Sequence, residues 1–182
     1  SPAVGYFDNR YFDPGKFKIQ LPYYAFKDLT LADAFWASKI ILSFSDEDIR
    51  DIVTAGKLTN ADDAEYISKT LMERRDLVGR YWFDRSNPLD DFEWNGSRLE
   101  FRDLAVEHGF ESTGSEYFVE VFDVKGKKIA DKNFQSTTLD IGNEQKDFDL
   151  FIRTKRPDDK DLSPYVAVSI RGSSIVRVAH QD

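Results

Sequence analysis

The sequence predicts an α+β fold, three helices followed by an antiparallel β-sandwich of about six strands. Three observations carry this expectation. Before Asn87-Pro88 the apolar residues recur at helical spacing among charges. After it they alternate in short runs separated by Gly, Asn and Asp, the pattern of strands and turns. Pro88 stops a helix between the two patterns, because it lacks an N–H to donate and its ring crowds the preceding turn. The expected division is an aromatic-rich irregular leader over 1–29, a helical domain over 30–87 and a β-sandwich domain over 88–182.

Each helix is justified by its end chemistry. Thr30 with Asp33 three residues on has the form of a capping box, and Leu31, Ala34, Phe35 and Leu42 fall near one stripe, so a first helix runs from Thr30 to near Ser43. Ser45 caps a second, short helix whose first turn holds Asp46, Glu47 and Asp48, where negative charge suits the positive helix end; Gly56 closes it. The third helix begins after Asn60, carries Ala64, Ile67, Leu71 and Val78 along one face, and ends before Pro88. The leader contains an internal echo, Tyr6-Phe7-Asp8 and Tyr11-Phe12-Asp13, ahead of the turn signal Pro14-Gly15. Aromatics so dense are costly in water, so the leader is expected to wrap onto the domain, with an aromatic ligand platform as the functional alternative.

Strands are expected at Arg98 to Val106, Tyr117 to Val124, Phe134 to Ile141, Phe148 to Arg153, Tyr165 to Arg171 and Ile175 to Ala179. In the first, the apolar parity changes between Leu99, Phe101 and Leu104, Val106, which calls for a bulge near Asp103. Lys125-Gly126 and Gly172-Ser173 supply hairpin turns. Short strands at regular spacing suggest a sandwich of the immunoglobulin-like kind, here without the Cys pair or strand Trp of antibody domains.

Composition narrows the function classes. With 182 residues the chain can bury about 70% of its unfolded surface, enough for a core without staples. Its net charge of -8 and the absence of a basic patch argue against nucleic acid as a partner. No apolar run approaches the roughly 18 residues of a spanning helix, so no transmembrane segment is expected. The start at Ser1-Pro2, without Met or signal pattern, reads as a trimmed or mature product with sequence missing upstream. Zero Cys fits the cytosol and equally an exported protein that avoids stray disulfides.

Candidate chemistry is sparse. Tyr81, Trp82, Phe83, Phe92 and Trp94 straddle the boundary among Arg80, Arg85 and several acids; such aromatics make either domain interfaces or ligand platforms, and Tyr81, Trp82, Phe92 and Trp94 are the ligand-binding candidates. Asp158, Asp159 and Asp161 are candidate calcium ligands, although no EF-hand pattern surrounds them. Asp84, Asp90, Asp91 and Glu93 could furnish the acid and base of a carboxylate-dependent hydrolase with a cleft between the halves. His108 and His180 have no evident partners, and although Ser112, Ser115 and Asp103 exist, no strained nucleophile turn accompanies them. No catalytic residue and no cofactor is expected.

The stretches Ala32-Asp33-Ala34-Phe35-Trp36-Ala37-Ser38-Lys39, Phe44-Ser45-Asp46-Glu47-Asp48-Ile49-Arg50 and Glu73-Arg74-Arg75-Asp76 with Arg80-Tyr81-Trp82 resemble a segment of uncharacterised bacterial proteins of predicted exported type. The resemblance covers roughly residues 30 to 90. It implies an exported protein of which this chain is the C-terminal region, and implies no activity. The expected function is a non-catalytic binding or structural module, the accessory part of a larger bacterial protein, presenting sandwich loops or boundary aromatics to a protein or carbohydrate.

Overall fold

The computed structural model describes residues 4–16, 23, 28–142 and 146–181. Part of the leader, 1–3, 17–22 and 24–27, therefore lies outside the described residues. The chain divides into two compact units, Ser1–Trp82 and Phe83–Asp182, just ahead of Asn87-Pro88.

The first unit is helical. Helix α1 (Leu31–Leu42) and α2 (Asp46–Ala55) each begin in a complete capping box: Thr30 Oγ1 accepts from the Asp33 N–H while Asp33 accepts from the Thr30 N–H, and Ser45 and Asp48 do the same. Helix α3 (Ala61–Phe83) opens with Asn60 Oδ1 accepting from the Asp62 N–H at 2.8 Å. Ala34, Phe35, Leu42, Ile49, Val53 and Met72 are buried. Gly79 is required by packing: a Cβ there would lie 2.6 Å from a Leu42 methyl, so α1 and α3 touch where only a hydrogen fits.

The leader echo has a structural use. Phe7 and Phe12, the same position in its two copies, sit 4.2 and 4.8 Å from the Arg74 guanidinium on α3. Arg74 also donates to Asn9 Oδ1 and to the Asp8 carbonyl, and Asn9 returns a bond to the Thr70 carbonyl. Tyr6 and Tyr11, one residue earlier in each copy, are 98% and 90% exposed, so only the Phe of each repeat is used for wrapping.

Among its described residues the second unit holds eight strands instead of about six: β1 (Leu89–Trp94), β2 (Arg98–Asp103), β3 (Glu116–Asp123), β4 (Lys128–Phe134), β5 (Thr138–Asp140), β6 (Asp147–Lys155), β7 (Val166–Arg171) and β8 (Ser174–His180). They form two antiparallel sheets, β1-β2-β5 and β4-β3-β6-β7-β8. Alternation places Leu99 and Phe101 of one sheet against Val119, Val121, Leu150, Ile152, Val168 and Ile170 of the other, all in a single core.

Two expected strands change. Arg98 to Val106 ends at Asp103, and Leu104–Glu107 form a helical turn, α4, which resolves the parity change without a bulge at Asp103. Phe134 to Ile141 contains only β5, since Phe134 closes β4. Register shifts lie instead in β1, between Asp90 and Glu93, where Asp91 takes φ 51°, and in the β3–β4 and β7–β8 pairings. The Lys125-Gly126 and Gly172-Ser173 turns form as expected, the first with Asp123 accepting from the Lys125 and Lys127 N–H groups.

Keeping Asp103 on a strand directs its side chain inward, where it is 3% exposed. Arg156, 8% exposed just past β6, meets it through two bonds of 2.5 and 3.0 Å. Tyr117 donates to the same carboxylate at 2.8 Å, and Ser115 accepts from Arg156 at 3.0 Å. Burial, reinforced by the Asp103 charge, pushes the Tyr117 phenol above its ordinary 10.0. Nearby, Asn87 is 1% exposed; its amide donates to the Ile152 carbonyl and its oxygen accepts from Thr154.

Two outcomes are expected. Asp103→Asn leaves Arg156 buried without its counter-charge and should cost about 3–5 kcal/mol, whereas Tyr117→Phe removes one charged hydrogen bond and should cost about 1–3 kcal/mol, both read by urea unfolding. In the helical unit, hydrogen bonds from Thr30 and Ser45 hold Asp33 and Asp48 below the ordinary aspartate value of 3.8. A carboxylate with a depressed folded pKa stabilises above its unfolded value and loses that contribution as pH falls through the folded one. Acid titration followed by circular dichroism should therefore show helix loss below about pH 4, with Asp48→Asn abolishing its share of that pH dependence.

Candidate binding surface

The outer face of the five-stranded sheet is unusual for a face turned away from the core. Alternation along β3 and β6 sends Phe118, Glu120 and Phe122, and Asp149, Phe151, Arg153 and Lys155, to that side. Phe151 packs edge-on against Phe122 at 5.2 Å and against Tyr165 at 5.0 Å, so three rings cross the sheet diagonally from β3 through β6 to the start of β7. Register places Phe118 opposite Arg153, whose guanidinium lies 5.9 Å from the Tyr165 ring. The Arg153 Nε is buried with no hydrogen-bond partner. Beside Phe151 the same row continues through Ala167 and Ala179, leaving a shallow floor next to the rings. Charges frame the row: Lys128 pairs with Glu120 and Asp131, and Arg171 pairs with Asp149 at 2.9 Å.

The candidates named from sequence lie elsewhere. Tyr81 and Trp82, on the last turn of α3, meet edge-to-face at 4.9 Å, and Tyr81 presses on Gly15, where a Cβ would come within 2.6 Å of its hydroxyl. Phe92 and Trp94 belong to the second unit and turn onto its core, 5.4 Å from Phe101 and 5.7 Å from Phe148. Trp94 Nε1 is buried without a hydrogen-bond partner. Asp90 pairs across strands with Arg102, Asp91 forms an ion pair with Arg102 at 2.8 Å, and Glu93 stands opposite Glu100.

Asp158, Asp159 and Asp161 occupy the exposed loop between β6 and β7. Among the described residues no three His, Asp or Glu side chains gather to hold a metal ion, so the calcium candidates do not form a cluster. Asp159 and Asp161 do line a cavity of about 410 Å³ with Asp84, Glu111, Arg156 and Lys160. Ser115 and Asp103, considered with His108, are both held by Arg156; His108 stacks on Phe110 at 5.7 Å. In the helical unit, Ile41, Phe44, Ile49, Ile52, Leu71 and Val78 line a separate apolar groove of about 340 Å³.

No family model matches the chain, and no curated protein or solved structure is found to be similar to it.

The outer row was not identified from sequence, where Phe118, Phe122, Phe151 and Tyr165 fall within expected strands to which no outward face was assigned. A signal existed: Phe148 to Ile152 is apolar at 148, 150, 151 and 152, which cannot all face one side. Because these rings are only half-buried, Phe122→Ala and Tyr165→Ala should each lower stability by about 0.5–1.5 kcal/mol, measured by urea unfolding, well below the cost at a core position.

Proposed function

We propose that the sandwich unit is a non-catalytic protein-binding module that uses the outer face of its five-stranded sheet. The observation that carries this reading is the continuous Phe122–Phe151–Tyr165 row with Arg153 beside it. Aromatic residues and Arg are enriched where proteins meet, because they bury a large apolar area and still satisfy a polar tip. A protein fits better than a carbohydrate. The interplanar angles of 78° and 76° turn successive rings on edge, so they do not offer a sugar the coplanar platforms on which its faces stack. Interspersed Glu120, Asp149, Arg171 and Lys155 suit a polypeptide of mixed charge.

An immunoglobulin-like identity is part of the proposal. It is supported by the strand order, since β1-β2-β5 and β4-β3-β6-β7 follow the A-B-E and C′-C-F-G order of that fold, with β8 added beyond the last strand. In that reading the aromatic row lies on the C-F-G sheet. The role as an accessory part of a larger exported bacterial protein rests on the sequence resemblance and is proposed with it.

Selection of displayed random peptides on the whole chain tests the reading. Recovered binders should lose at least about tenfold in affinity for the Phe151→Ala/Tyr165→Ala protein, with its circular dichroism unchanged. Binders indifferent to both substitutions would refute the proposed face, as would the absence of binders together with retardation of the chain in polysaccharide gels.

A further inference from the structure

Sheet edges expose unpaired backbone groups, and natural proteins guard them with short strands, bulges, or charges that point inward. Three of this unit's four edges are guarded. Strand β5 has three residues. Strand β1 is bulged between Asp90 and Glu93 and rich in acids. Strand β4 carries Lys128, Asp131 and Lys132; Lys132 pairs with the fully buried Val119, so it stands on the core side, where its Nζ donates to the Ile141 carbonyl at 2.7 Å.

Strand β8 is bulged at Val176, but from Arg177 to His180 it pairs regularly and carries no inward Lys, Arg, Asp or Glu. Its sequence, Ser-Ile-Val-Arg-Val-Ala-His, has one fully charged residue, Arg177, which faces outward opposite Ser169. On the core side, Val178 stands opposite the buried Val168 yet is itself 41% exposed; Val176, the extra residue at the register shift, is 59% exposed. The backbone direction is also fixed. The Gln181 N–H donates to the Tyr165 carbonyl, so by alternation Ala179 turns its backbone groups to β7 and Val178 turns its own to the open edge.

We infer that a second copy of this chain adds to β8, the two strands pairing antiparallel about a two-fold axis at Val178 and joining their five-stranded sheets into one. The register follows from the side chains. Val178 against the partner's Val178 covers the exposed core-side valine of each copy and exchanges the edge-facing N–H and C=O of both. Arg177 then falls opposite the partner's Ala179, beside the Ala167 floor that leads to Phe151. An axis at Arg177 would instead oppose two like charges. With a net charge of -8 on each copy, long-range repulsion works against the pairing, so it is weak at low salt and strengthens as salt screens it.

Sedimentation velocity on the whole chain, from about 1 µM to about 1 mM, tests this. A concentration-dependent dimer is expected, tighter at high salt. Val178→Lys installs on β8 the inward charge that Lys132 supplies on β4, and should weaken association at least about tenfold. An equimolar mixture of Val178→Lys and Val178→Glu proteins should restore it, because the opposed residues then attract. Phe151→Ala/Tyr165→Ala should leave the dimer in place, which separates this inference from the proposed binding face. Should the Val178 variants fail to fold, hydrogen exchange on the unaltered chain decides: the Val178 amide is protected at high concentration and exchanges freely at low. A monomer throughout, a dimer indifferent to Val178→Lys, or Val178 exchange independent of concentration overturns the inference.

Discussion

The sandwich is organised around one buried ion pair. Asp103 ends β2 of the smaller sheet and Arg156 follows β6 of the larger one, so their two hydrogen bonds tie the sheets together at a single end of the core. Neither charge belongs there for its own sake, because removing both from water costs several kcal/mol per ion. The cost is offset only because the remaining valences are filled: Tyr117 donates to the carboxylate and Ser115 accepts from the guanidinium. Such a cluster admits one arrangement. A strand slipped by one residue would swing Asp103 to solvent and leave Arg156 buried alone, so the pair selects register more than it adds stability.

Asn87 plays a parallel part where the chain enters the second unit. A buried Asn must satisfy both a donor and an acceptor, and its amide does so on Ile152 and Thr154 of β6. The residue at which the sequence changes period is therefore fixed to the central strand of the larger sheet, and the Pro88 carbonyl accepts from the Leu104 N–H. The entry to the sandwich is specified by polar chemistry as closely as its core is by Leu, Ile and Val.

Helices were legible because their signals are local: Thr30 with Asp33 and Ser45 with Asp48 formed the capping boxes that their spacing announced. Strands were legible where one face is core, as in β3, β6 and β7. Strand β1 was hidden by Asp90, Asp91 and Glu93 and by a bulge that breaks its alternation, and β4 by the polar sequence expected of an edge. The buried ion pair was illegible for a different reason, since nothing local links Asp103 to Arg156, 53 residues further on. The aromatic row failed on faces: the sequence shows four aromatic residues near strands, but which side each takes depends on a register that only pairing defines.

The outer row also answers how a sheet can hold Phe118, Phe122, Phe151 and Tyr165 on a face with no second layer of β-structure over it. Exposed singly, each ring would cost on the order of 1.5–3 kcal/mol relative to burial. Packed edge-on in sequence, Phe122, Phe151 and Tyr165 cover one another, and the Arg153 guanidinium lies 5.9 Å from the Tyr165 ring. All four are partly buried, and three of them lie against one another. The rings thus shield one another and still retain exposed surface that would gain from being covered, which is what the proposed binding role requires of this face.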